Sequence, residues 1–151
     1  MEKKKTPHAP GVSALTVGAS EGDLGKLERI FDECGWTLGR VRTRSEARDF
    51  MNSTPVRVVI SERELPEGGW REMLDDLMQR SDPPSLLVTS RLADDSLWAE
   101  VLNMGGYDVL AQPLDSEEVL RVVSAAARHF ENQSQRRQPQ LSRPYFAAAA
   151  S

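Results

Sequence analysis

Glu62 is the residue of this chain best placed to do chemistry. It closes an apolar run, Val58-Val59-Ile60 with Ser61, and is followed by Leu65-Pro66 and then Gly68-Gly69. A buried strand that delivers a carboxylate at its C-terminal end, with a turn into a helix behind it, is where open α/β sheets place reactive groups. Such a carboxylate can accept a phosphoryl group or ligate a cation. The hydroxyls of Ser61 and Thr89 become nucleophiles only beside a base. His8 and His129, the two histidines, lie away from the strand ends that would hold such a site. Cys34 is the single cysteine, so an internal disulfide and a multi-cysteine zinc site are both excluded. Glu21 and Asp23 can be drawn around a cation with Glu62, yet carboxylates at a helix start are favourable by about 0.3–1 kcal/mol with no ligand at all. The turn Gly18-Ala19-Ser20-Glu21-Gly22 is loosely like a phosphate cradle. It lacks the third glycine of a dinucleotide fingerprint and any following Gly-Lys-Ser/Thr.

The elements that must position these residues are legible as five repeats of an apolar run followed by an amphipathic helix. The runs are Ala14 to Val17, Thr37 to Val41, Val56 to Ile60, Ser85 to Thr89 and Asp108 to Ala111. The first helix carries Leu24, Leu27, Ile30, Phe31 and Cys34 and stops at Gly35. The second has Ser45 as expected N-cap, with Ala47, Phe50 and Met51 inward. The third buries Trp70, Met73, Leu74 and Leu77 before Pro83-Pro84. The fourth, capped by Asp94 or Asp95, shows Leu97, Trp98, Val101 and Leu102 and ends at Gly105-Gly106. The fifth follows Pro113 and Asp115 and turns Val119, Leu120, Val122, Val123, Ala126 and Phe130 inward. Strand and helix alternating in this way predict a parallel sheet covered on both faces, because parallel strands need crossovers and helices make them.

At 151 residues the chain is one domain's worth of core. With 39% hydrophobic and 28% charged residues it is too apolar to be wholly disordered. The net charge of −4 conceals basic ends, leaving about −9 on residues 11–127, a poor surface for tracking nucleic acid. The Lys3-Lys4-Lys5 start lacks the apolar core of a signal peptide, and no apolar run approaches the roughly 20 residues of a membrane span. A cytoplasmic location is expected. Residues 1–12 read as a flexible leader, 13–131 as the folded domain and 132–151 as a mobile tail, with Tyr145-Phe146 as a docking element within it.

Together, the Glu62-to-Pro66 spacing, Gly68-Gly69, Val88-Thr89, Gly105-Gly106-Tyr107-Asp108 and Gln112-Pro113-Leu114-Asp115 resemble the CheY-like receiver domains of two-component response regulators, over roughly residues 13–130. The resemblance implies a flavodoxin-like α/β fold, with five parallel strands in the order 2-1-3-4-5, two helices on one face and three on the other. It also implies a cis Gln112–Pro113 peptide. A receiver of this family takes a phosphoryl group onto an aspartate with magnesium and a lysine nearby. Charge neutralisation supplies most of the rate of such a transfer.

Position by position, those groups are replaced here. Gly18 and Ala19 stand where the family has its acidic pair and offer no carboxylate to a hard cation. Glu62 stands at the phosphoacceptor, its carboxylate carried outward by one extra methylene. Gln112 stands at the lysine, neutral where a cation is required. Thr89 matches. Val109 replaces the aromatic of the family's fifth strand, with Tyr107 two residues earlier expected on the same side. Glu62 is thus either a fixed mimic of a phosphorylated aspartate or a vestige.

The expectation is a degenerate receiver, a pseudo-receiver with no catalytic residue, no cofactor and no metal. It would act by binding proteins, a histidine kinase or another signalling protein among them, or a second copy of itself, and not nucleic acid or membrane. The partner surface is expected on the fourth helix, fifth strand and fifth helix, marked by Trp98, Val109 and Pro113. Within these 151 residues no DNA-binding or enzymatic module is read, so output is expected to pass through a partner. A working phosphorelay acceptor using Glu62 or a nearby hydroxyl, and a small-ligand or nucleotide sensor at Gly18–Gly22, are the alternatives. Trp98 is expected to be at least half-buried. Met73, Met78 and Met104 are expected in the core.

Overall fold

The computed structural model describes residues 12–137. Strands β1 (Ser13–Val17), β2 (Thr37–Val41) and β3 (Val58–Glu62) alternate with helices α1 (Glu21–Cys34) and α2 (Arg44–Ser53). A two-residue hairpin, β4 (Glu64–Leu65) and β5 (Gly68–Gly69), leads into α3 (Trp70–Met78). Then come β6 (Ser85–Ser90), α4 (Asp95–Met104), β7 (Asp108–Ala111) and α5 (Ser116–Arg137). The five long strands are all parallel in the order β2-β1-β3-β6-β7, which is the expected 2-1-3-4-5 once the hairpin is set aside.

Side-chain alternation divides the core. Leu15, Val17, Val59, Leu86, Val88 and Val109 face α2, α3 and α4, where Met51, Trp70, Leu77, Leu97 and Val101 meet them. Ala14, Val58, Ile60, Leu87 and Leu110 face α1 and α5, against Leu27, Phe31, Val119 and Val123. This is the expected three-and-two division of helices. β6 is buried throughout and β3 at every residue but Glu62, so central strands must be apolar on both sides. The polar residues that interrupt them therefore stand out: Ser61, Thr89 and Ser90 lie towards the C-terminal ends, while Ser85 opens β6 and donates to the Ala126 carbonyl at 3.0 Å.

Several local expectations are corrected. β3 begins and ends two residues later than expected and includes Glu62, because Ser61 and Glu62 pair with Val88 and Thr89 of β6. Thr43, not Ser45, caps α2, its Oγ1 accepting from the Glu46 N–H at 3.1 Å while Glu46 Oε1 accepts from the Arg42 N–H at 2.8 Å. Thr43 and Glu46 have the spacing of a capping box. Met78, Met104 and Leu120 are exposed, while Trp98, at 49% exposure, is half-buried as expected. On α4 the pair Leu97 and Val101, four residues apart, takes the inward stripe, so Trp98 is turned about 100° away from it. The tail does not begin at 132, since α5 continues to Arg137, with Ser134 Oγ and Arg137 Nη1 each donating to Asp82 at 3.0 Å and Glu131 pairing with Arg57. The expected leader up to residue 11 and the tail from residue 138, Tyr145-Phe146 included, lie outside the described residues. No helix among the described residues is long and apolar enough to cross a membrane.

Candidate functional site at the strand ends

Parallel register gathers the candidate residues. Glu62 ends β3 directly opposite Thr89 on β6, and the Gln112 N–H bonds to the Ser90 carbonyl at 3.0 Å where β7 runs out. Gly18 leaves β1 beside them with φ of +80°, a conformation that glycine adopts without strain. The Gln112–Pro113 peptide is cis, as the resemblance implied. Glu62, Gln112, Pro113, Gly18, Ser20 and Asp23, with Arg91, border an open crevice of about 440 Å³.

Inside the crevice the polar groups bind each other. Glu62 Oε2 accepts from Thr89 Oγ1 at 3.1 Å and from Gln112 Nε2 at 2.8 Å. The same Gln112 nitrogen donates to Asp23 Oδ2 at 2.6 Å. An amide nitrogen has two hydrogens and a carboxylate only accepts, so Gln112 meets both carboxylates with its full donor capacity. Burial pushes the Glu62 carboxyl above its ordinary range and the neighbouring Asp23 charge adds to this. The bonds from Thr89 and Gln112 and the Arg91 charge pull the other way.

A neutral amide therefore occupies the position between two carboxylates that a cation would take. Magnesium as the family uses it does not fit these residues. Gly18 and Ala19 present no side-chain oxygen, and a Cβ added at Gly18 would lie 2.7 Å from Leu65 Cδ2. Among the described residues no group of three or more His, Cys, Asp and Glu is placed to hold a metal.

Asp23 does more than the helix-start role expected of it, since it reaches Gln112, 89 positions later in the chain. Glu21 is not drawn to Glu62. It lines a neighbouring groove of about 600 Å³ with Arg40, Arg42, Glu46 and Glu64, and the Gly18–Gly22 turn forms part of that groove's wall. There Ser20 Oγ and the Ser20 carbonyl take the N–H groups of Asp23 and Leu24. Arg91 is the charged residue that reading the chain alone passed over, and its place two residues after Thr89 is the signal that could have found it.

The marked surface residues separate. Trp98 is 49% exposed, and its Nε1 donates to Asp108 Oδ1 at 3.1 Å across the seam between α4 and β7. Leu102, one turn on, and Leu92 are exposed as well. Pro113 is exposed beside the crevice. Val109 is buried under α4 and offers no surface. Tyr107 does not share its side: it precedes β7, so strand alternation does not govern it, and it packs on the α1–α5 core against His129, ring centroids 5.1 Å apart.

No family model matches the chain. It is similar to the DNA-binding transcriptional regulator NtrC of Escherichia coli K12, 25% identical over 118 residues, which cover 78% of this chain and 25% of that protein. The chain thus spans about a quarter of the length of the curated relatives it matches. In structure it is similar to the signal receiver domain of an HD domain-containing protein from Pseudomonas fluorescens Pf-5, with a TM-score of 0.72 and 25% identity, covering 82% of this chain and 99% of that one. The chemotaxis response regulator CheY4 of Vibrio cholerae gives 0.70 at 16% identity, with 78% and 99% covered. The beryllofluoride-activated NtrC4 receiver domain dimer gives 0.71 at 20%, with 78% and 97% covered.

Proposed function

We propose that the chain, CheY-like in fold, is a response-regulator receiver domain that works without phosphorylation, as a module of two-component signalling that binds other proteins. The observation that carries this reading is the Gln112 amide between Glu62 and Asp23. Phosphoryl transfer needs concentrated positive charge at the reacting oxygens. Here the position that should supply it is neutral, the acidic pair is Gly18-Ala19, and the acceptor carboxylate is already bonded to two neighbours. On this reading the chain catalyses no reaction of its own and its work is done in the cytoplasm.

Binding is assigned to the face formed by α4, β7 and α5. Trp98 and Leu102 are exposed apolar residues of α4, Asp95 is exposed on the same helix, and Asp108 of β7 accepts from the Trp98 indole. Large aromatic residues at interface centres carry a disproportionate share of binding energy. A histidine kinase, another signalling protein or a second copy of the chain is the expected partner. A receiver of this fold is known as a dimer in the beryllofluoride-activated NtrC4 structure.

Intact-mass measurement after incubation with an acyl phosphate and magnesium tests the proposal. The expected result is an unchanged mass. A stoichiometric, acid-labile phosphoryl adduct would overturn it and restore the reading of Glu62 or a nearby hydroxyl as a working acceptor.

A further inference from the structure

The crevice network joins four separate parts of the fold. Asp23 belongs to the first turn of α1, Glu62 to the end of β3, Thr89 to β6, and Gln112 to the connection from β7 to α5. A second tie holds two of these parts together independently, since Lys26 Nζ, one turn along α1, donates to the Leu114 carbonyl at 2.8 Å. Asp23 and Lys26 thus bind α1 to the β7–α5 connection as one unit. Among the side-chain hydrogen bonds of the described residues, the bond from Gln112 to Glu62 is what fastens this unit to the ends of the central strands.

We propose that the Gln112–Glu62 bond is a proton-operated latch between the α1/β7–α5 unit and the β3–β6 strand ends, closed when Glu62 is ionised and loosened when it is protonated. Gln112 Nε2 gives one hydrogen to each of two carboxylates, at 2.6 Å to Asp23 and 2.8 Å to Glu62. A hydrogen bond to an ionised carboxylate is roughly twice as strong as one to a neutral group. A proton on Glu62 therefore weakens one arm, leaves Asp23 as the stronger acceptor and draws the amide towards α1. Lys26 keeps that half of the latch in place.

The groups facing Glu62 set the direction of its response. From α1 it meets the Asp23 charge, from the β6–α4 connection the Arg91 charge, from β6 the Thr89 hydroxyl, and from the β7–α5 connection the neutral Gln112. Arg63 and Glu64 follow Glu62 in the chain. The Arg63 backbone N–H goes to the Thr89 carbonyl at 2.9 Å, and Glu64 lines the neighbouring groove. Burial and Asp23 outweigh the bonds and Arg91, so the carboxyl protonates more readily than an ordinary glutamate. The latch rests on the proposed loss of phosphoryl chemistry. A phosphoryl adduct would overturn that reading without altering co-titration, so the two fail separately.

The test is an NMR titration of the whole chain from neutral to acidic pH, following the Glu62 side-chain carboxyl carbon and the Gln112 side-chain amide. The latch requires both signals to share one step with one midpoint, and that step to vanish from the amide in Glu62→Gln, where only a response through Asp23 is left. Asp23→Asn should lower the common midpoint, because it removes the adjacent negative charge. A Gln112 amide that stays fixed while Glu62 titrates would overturn the proposal, as would persistence of the same amide step, at the same midpoint, in Glu62→Gln. The wild-type titration decides the matter even where a variant folds poorly.

Discussion

The strand-end crevice and the α4 surface handle their side chains in opposite ways. In the crevice Glu62, Asp23, Gln112 and Thr89 turn towards one another and hydrogen-bond among themselves. On α4 the apolar side chains of Trp98 and Leu102 turn outward, although a helix of this amphipathic kind has a buried stripe to hold such groups. A site that has satisfied itself has little left to offer a ligand. A surface that leaves an indole half in water gains from being covered. The proposed function follows this difference, with binding on α4, β7 and α5 and an internal, structural part for the crevice.

The largest effect is expected from forcing the crevice back towards an acidic pair. Gly18→Asp puts a Cβ where φ is +80° and where Leu65 Cδ2 lies 2.7 Å away, so it should destabilise the fold by about 2–4 kcal/mol, read by chemical denaturation. A neutral result would mean that the turn is free to open and that the acidic pair was not excluded by shape. Trp98→Ala should weaken partner binding or self-association by about 2 kcal/mol, roughly thirtyfold, while leaving stability within about 1 kcal/mol of the parent, measured by calorimetry or sedimentation. Loss of stability without loss of binding would assign Trp98 to the core instead. Gln112→Leu leaves two carboxylates without their shared donor and should cost about 1–2 kcal/mol at neutral pH, with less lost in acid.

The smallest effect is expected at Glu62 itself, and its sign is diagnostic. Its carboxyl is raised in the fold above the value near 4.5 that it has when unperturbed. The folded state therefore binds the proton more readily than the unfolded chain does. Its contribution to stability is fully present below about pH 4.5 and is lost as pH rises through the raised folded value. Glu62→Gln should flatten that decline and stabilise the protein slightly at neutral pH, by about 0.5 kcal/mol or less once solvent screening is allowed for. Partner binding should be unchanged. A large loss of binding in Glu62→Gln would restore the reading of Glu62 as a fixed mimic of a phosphorylated aspartate.

Much of this was legible in the chain. Apolar runs with turn residues between them specify alternating strands and helices and so a parallel sheet, and the resemblance to receiver domains supplies the strand order. The convergence of Gly18, Glu62, Thr89 and Gln112 follows from each standing at or just past a strand's C-terminal end. What escaped depends on directions and distances that linear spacing does not carry. Trp98 and Leu97 are neighbours in sequence, and the turn of the helix decides which one is buried. Asp23 has a sufficient local reason to stand at a helix start, which hides its partner in a distant loop. Residues 132–137 have the composition of a tail, yet Ser134 and Arg137 find Asp82 within reach and hold the helix on. Val109 and Tyr107 are equivalent by alternation alone, but the strand begins between them.

The most direct test of the division between a self-satisfied crevice and a binding α4 face is a backbone amide NMR spectrum recorded with and without beryllofluoride and magnesium. The account predicts no change at residues 18–23, 61–63, 89–91 and 111–113, and none on α4. Saturable shifts centred on Glu62 and spreading to α4 would contradict it, because they would show a crevice that still binds a phosphoryl analogue and transmits its presence to the surface.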